Sequence, residues 1–113
     1  MAIINGSDLV NDTLNGGGLN DLISGFALND ILNGANGADT LDGGLDNDSL
    51  DGGAGNDSII GGDGADLILA QIGRDDVVGG AGNDTIDGGG NNDVLYGGSE
   101  DDSITAGTGA DTA

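Results

Sequence analysis

The sequence predicts an all-β fold, a two-sheet parallel β-solenoid of about six 18-residue coils. Three observations predict it. An aspartate recurs every nine residues, at Asp12, Asp21, Asp30, Asp39, Asp48, Asp57, Asp66, Asp75, Asp84, Asp93, Asp102 and Asp111. Two positions after each stands an aliphatic residue (Leu14, Ile23, Leu32, Leu41, Leu50, Ile59, Ile68, Val77, Ile86, Leu95, Ile104), and only the last unit departs, with Ala113. Each unit opens on glycine or a small substitute, Ser7, Ala70 or Ala106. A period kept without insertion is the signature of a repeat architecture, not of biased composition.

The elements of one unit follow from its letters, as in "GGAGNDSII" (Gly52 to Ile60) and "GGAGNDTID" (Gly79 to Asp87). The glycine-rich hexapeptide can take positive φ and so turns sharply. The next three residues form an extended segment whose middle side chain, the aliphatic, points to one face while its neighbours point to the other. Two turns and two strands make one coil. No unit can bury its single aliphatic alone, so the coils must stack, and the stack predicts one domain over 1–113.

Composition narrows the function. The 113 residues include 26 Gly, one Phe and one Tyr, and no Pro, Cys, His or Trp. Twenty-one acidic residues face a single base, Arg74, for a formal net charge of −20. Low hydrophobicity with high charge reads as a disordered chain unless something neutralises the acids. Nucleic acid and anionic membrane surfaces are repelled, because phosphate binding needs Lys or Arg. No stretch approaches the ~20 apolar residues of a membrane span, so no membrane insertion is expected. The start, "MAIINGSDLV", lacks the basic region of a secretory signal peptide. Without His, Cys or Lys, and with no deep apolar pocket expected to shift a carboxylate pKa, the chain does not read as an enzyme.

The aspartates point to metal. Like carboxylates two units apart would lie one strand spacing, ~4.8 Å, from each other and repel. A hard divalent cation between coils reverses that sign, and calcium suits it best because it accepts six to eight oxygens in flexible geometry. Zinc is disfavoured without His or Cys.

"GGAGNDSII", "GGDGADLIL" and "GGAGNDTID" resemble the repeats-in-toxin nonapeptide G-G-x-G-x-D-x-U-x, the hemolysin-type calcium-binding repeat. The resemblance runs from Ser7 to Ala113. It implies a parallel β-roll that binds several calcium ions between its turns. The implied ligands are Asp39, Asp48, Asp57, Asp66, Asp75, Asp84, Asp93, Asp102 and Asp111, with turn carbonyls near Gly52, Gly53, Gly55, Gly61, Gly62, Gly64, Gly79, Gly80 and Gly82. It also implies a secreted, extracellular or cell-surface setting where calcium is millimolar, often reached by type I secretion. The resemblance implies a C-terminal secretion segment after the repeats, whereas the sequence stops inside a unit at Ala113, which leaves the export route open.

Departures from the pattern divide the chain. In residues 1–33 Leu9, Val10, Leu19, Phe26 and Leu28 replace glycines, so this part reads as degenerate repeats, a cap or a contact region. There Asp12, Asp21 and Asp30 read as turn-forming residues rather than ligands. Residues 34–113 read as the calcium-binding repeats. The unit from Ala70 is irregular, with Gln71, Ile72 and Arg74, an arginine that reads as a solvated surface residue or else as the partner of an aspartate where a calcium is missing. Asp42, Asp51 and Asp87 read as a solvated face.

Outward apolar residues suggest contacts. Ile60, Val78 and Tyr96 should align on one sheet exterior beside Val94, and Leu67 and Leu69 on the other. Leu9, Val10, Phe26, Leu28 and Leu45 should share one edge. They read either as β-propensity and capping or as contacts with another protein or another copy. Two functions stay in view. One is an extracellular calcium-binding β-roll that self-assembles head-to-tail as a structural filament or matrix protein. The other is a calcium-dependent folding or secretion module of a larger type I secreted protein. The apolar start (Ile3, Ile4) and the unfinished last unit favour the first, since uncapped solenoid ends invite stacking.

Overall fold

Alternation after each aspartate produces twelve short strands in the computed structural model, which describes all residues from Met1 to Ala113. They are β1 (Ile3–Asn5), β2 (Thr13–Gly17), β3 (Leu22–Phe26), β4 (Ile31–Ala35), β5 (Thr40–Leu45) and β6 (Ser49–Asp51), then β7 (Ser58–Asp63), β8 (Leu67–Leu69), β9 (Asp76–Ala81), β10 (Thr85–Asp87), β11 (Val94–Ser99) and β12 (Ser103–Thr105). Odd strands form one six-stranded sheet and even strands the other, each in simple consecutive order. Every pairing is parallel. The result is the expected two-sheet β-solenoid of about six turns, and it contains no helix.

Register carries the repeat into space. Leu41 lies beside Ile59, Ile59 beside Val77 and Val77 beside Leu95 in the odd sheet. Leu50, Ile68, Ile86 and Ile104 form the matching column in the even sheet. The middle side chains of both sheets therefore point into one shared layer. Ile23, Leu32, Leu41, Leu50, Ile59, Ile68, Val77, Ile86 and Leu95 are all buried. The molecule is a slab of 39 × 33 × 12 Å, and its short dimension has room for just one such layer.

Turns stack as well as strands. Of 57 backbone–backbone hydrogen bonds, 24 lie outside the strand ladders, and most of those join one coil to the next. Asn36, Ala54, Ile72, Gly90 and Thr108 form a file of parallel bridges along one edge.

The first coil differs. Ile4 pairs with Ile23, whereas Ile23 pairs with Leu41, so the opening coil is one residue longer than the next. The extra residue lies in the turn Gly6–Asp12. Counting in nines starts this unit at Ser7; the structure starts the turn at Gly6. The outward apolar residues fall where alternation places them: Ile60, Val78 and Tyr96 are adjacent in the odd sheet. Leu67 and Leu69 sit on the even one.

Candidate metal centres

Twelve turns line two edges. Turns into the odd sheet carry Asp21, Asp39, Asp57, Asp75, Asp93 and Asp111; turns into the even sheet carry Asp12, Asp30, Asp48, Asp66, Asp84 and Asp102. From the turn at Gly25 onward, the second and fourth residues take positive φ without exception, as at Gly53 and Gly55 or Gly62 and Gly64. Phe26 and Leu28, with side chains that disfavour this region, are held there at φ 82° and 75°. Neither the Gly6–Asp12 turn nor the Gly16–Asp21 turn shows this pair.

From Asp21 to Asp93 each ladder aspartate sits just before a strand and is buried. Asp30, Asp39, Asp48, Asp57, Asp66, Asp75, Asp84 and Asp93 are at most 3 % exposed. Their two carboxylate oxygens have different fates. Oδ1 accepts the backbone N–H of the aspartate one coil earlier: Asp39 N–H to Asp57 Oδ1 at 2.8 Å, Asp48 N–H to Asp66 Oδ1 at 2.8 Å, Asp66 N–H to Asp84 Oδ1 at 2.9 Å. Oδ2 has no partner in any of these eight residues. A buried, unpartnered carboxylate oxygen is costly, and eight in register need a common explanation.

The opening glycine of each turn shows what that oxygen faces. A Cβ on Gly34 would lie 2.6 Å from Asp39 Oδ2 and 2.6 Å from the Gly52 carbonyl oxygen. On Gly61 it would lie 2.5 Å from Asp66 Oδ2 and 2.6 Å from the Gly79 carbonyl oxygen. Glycine thus keeps open a space rimmed by a carboxylate and by a carbonyl of the next coil. No three carboxylates converge at one point, so a cation here must draw on peptide oxygens too. Hard oxygen donors in a flexible, glycine-built frame are what calcium accepts.

Burial disfavours the charged form of these carboxylates when no cation is present. Burial pushes the Asp48 carboxyl up to about 7 and those of Asp57, Asp66 and Asp75 up to about 6. The N–H donated from the preceding coil works against that rise, and neighbouring carboxylates add to it. Asp30, Asp39 and Asp84 are raised for the same leading reason.

The expected ligands are not all placed alike. Asp39, Asp48, Asp57, Asp66, Asp84 and Asp93 share the arrangement in full, and Asp75 shares the burial and the unpartnered Oδ2 but has Ala70 in place of the opening glycine. Asp102 and Asp111 are half-buried in the last coil, though each Oδ1 accepts from Asp84 or Asp93. Gly52, Gly61 and Gly79 hold the open spaces, while Gly53, Gly55, Gly62, Gly64, Gly80 and Gly82 supply the positive φ. Asp30, grouped by sequence with Asp12 and Asp21, has the backbone and the free oxygen of the later turns. Asp12 Oδ2 instead accepts the Ser7 N–H at 2.5 Å. A second ladder went unnoticed in the sequence: Asn20, Asn29, Asn47, Asn56, Asn83 and Asn92 each accept, through Oδ1, the N–H of the residue one coil later. The recurring Asn just before the ladder Asp was its signal.

A sequence profile of the RTX calcium-binding nonapeptide repeat (4 copies) matches residues 7–41, 24–59, 42–77, 69–104 and 78–113, together spanning 7–113. The chain belongs to this family. No curated protein and no solved structure matches it. RTX repeats bind calcium as a structural ion, and the donor set found in the stacked turns fits that ion. Bound calcium would supply positive charge, and the aspartate carboxylates and turn carbonyls are the oxygens that would hold it.

Proposed function

We propose that this RTX β-roll folds on calcium and acts outside the cell as a calcium-dependent structural element. The file of buried Asp Oδ2 atoms, seven of the eight facing a carbonyl of the next coil across a glycine, supports this reading best. Its ligands are the ladder aspartates from Asp30 to Asp93 and the turn carbonyls around them, with Asp102 and Asp111 half-formed at the last coil. Without cations, −20 on 113 residues and a one-layer core favour the open chain. RTX repeats occur typically in type I secreted proteins, and millimolar external calcium would drive the folding. Circular dichroism across a calcium titration tests the reading. Full β signal in excess chelator would overturn it.

A second element of the reading is head-to-tail self-association into a filament or matrix. Ile104 is 37 % exposed, while Ile68 and Ile86 of the same column are 0 % and 1 % exposed. β12 has β10 on one side and no strand on the other. Another copy would cover both, and so would further coils if the roll is a module of a larger secreted protein.

A further inference from the structure

Ala70 opens the turn Ala70–Asp75, in the place that glycine holds at Gly52, Gly61, Gly79 and Gly88. Its side chain is fully buried. Its backbone keeps the common register: the Ala70 N–H donates to the Asp87 carbonyl at 2.9 Å, as that of Gly52 does to the Leu69 carbonyl. The methyl group therefore points into the space that the glycines leave open.

Neighbouring turns measure that space. A Cβ on Gly34, Gly43 or Gly61 would stand within 2.6 Å of both its own turn's carboxylate oxygen and a carbonyl oxygen of the next coil. Real carbon–oxygen contacts begin at ~3.3 Å. The Ala70 methyl must hold Asp75 Oδ2 and the Gly88 carbonyl further away than their counterparts in other coils. Arg74, an independent feature of the same turn, is the one base in the chain. It stands in the file Asn56–Arg74–Asn92, its N–H donating to Asn56 Oδ1 at 3.0 Å. Arg74 lines a groove with Asp39, Asp57, Asp75 and Asp76, and a fixed positive charge at this turn opposes a second cation.

We infer that Ala70 and Arg74 interrupt the calcium file of this edge, so that the site between the Asp75 and Asp93 turns is the weakest complete one. The inference rests on the calcium reading above. The other edge, with glycine at Gly25, Gly43, Gly61, Gly79 and Gly97, carries an unbroken file. The ions then fall into two classes, and the divided edge is where the roll opens first as calcium falls.

Calorimetric calcium titration of the wild type, Ala70→Gly, Arg74→Asn and Gly52→Ala tests this. Ala70→Gly should add one ion or tighten the weakest class by about tenfold, and Arg74→Asn should tighten it a few-fold. Gly52→Ala should create a second weak site at Asp57. In chelator Ala70→Gly should be less structured, having lost a buried methyl, so its effects with and without calcium have opposite signs. A structural role alone would weaken it under both conditions. A wild type that binds no calcium refutes the calcium reading itself. Calcium binding with a weakest class untouched by Ala70→Gly and Arg74→Asn overturns only the interruption. Should Ala70→Gly fail to fold, the exposed Arg74→Asn change decides.

Discussion

The backbone N–H of Asp57 donates to Asp75 Oδ1 at 2.8 Å, across one full coil. That bond orients the carboxylate so that Oδ1 is satisfied by protein while Oδ2 faces inward with no donor. Repeated along both edges, it holds a column of mutually repelling acids in one common orientation. In the calcium reading proposed above, structure and metal binding share one side chain, and substitutions can separate the two roles.

Asp57→Asn keeps an Oδ1 acceptor for the Asp39 N–H but removes the charge. In chelator it should be at least as well folded as the wild type; in calcium it should bind roughly tenfold more weakly, about 1.4 kcal/mol. Asp57→Ala also strands a buried N–H, costing a further ~1–3 kcal/mol. Asp66 and Asp84 variants should behave alike and Asp12→Ala much more mildly. Calcium titrations and melts of the series check the order; equal effects along the ladder would contradict it.

Acid should favour the metal-free fold. Folded-state values are raised, to about 7 at Asp48 and about 6 at Asp57, Asp66 and Asp75. Folding therefore takes up protons. This contribution is fully present below the ordinary value of 3.8 and is lost as pH rises through 6 to 7. In chelator, β signal should grow between pH 7.5 and pH 4.5. The calcium midpoint should rise as pH falls through the same window, because protons and calcium compete for the carboxylates. Dichroism at both pH values, with and without calcium, reads both effects.

Gly62 holds φ 110°, and a Cβ there would collide with the Gly44 carbonyl of the coil before. Gly62→Ala should cost ~1–3 kcal/mol through backbone strain alone, seen as a lower melting temperature in saturating calcium. An unchanged melting temperature would mean the turns can relax away from the stacked geometry.

Asn47 Oδ1 accepts the Ala65 N–H at 2.8 Å on the exposed side of the turn. Asn47→Ala removes this one bond and should cost ~0.5–1.5 kcal/mol, with the calcium count unchanged. Denaturant melts in calcium, beside a calorimetric count, separate this staple from the aspartate ligands.

Self-association should respond to the end coils. In millimolar calcium, Ile104→Asp, or Ile3 and Ile4 replaced by Asp, should shorten or abolish filaments seen in negative stain and by light scattering. A wild type that stays monomeric at high protein and calcium concentration would leave the module reading.

The nine-residue period and the alternation after each aspartate were sufficient, by themselves, to determine the solenoid, the alternation of the strands after Asp12 between two sheets and the shared aliphatic core. They depend on spacing along the chain, and spacing is visible in the letters. The apolar row Ile60–Val78–Tyr96 was legible for the same reason. Other features exist only between residues a coil apart. Stacking decided which oxygen of each aspartate is free, since the N–H that occupies Oδ1 belongs to the preceding coil. It also made the recurring asparagines into a hydrogen-bond ladder. Phe26 and Leu28 show the limit most clearly: their own preference is against positive φ, but hydrogen bonds to neighbouring coils impose it, and so Asp30 joins the later aspartates. Likewise the extra residue of the first coil appears only when Ile4 is seen beside Ile23. Local propensity is a small term against a register enforced on every side by adjacent coils, and that register is a property of the stack.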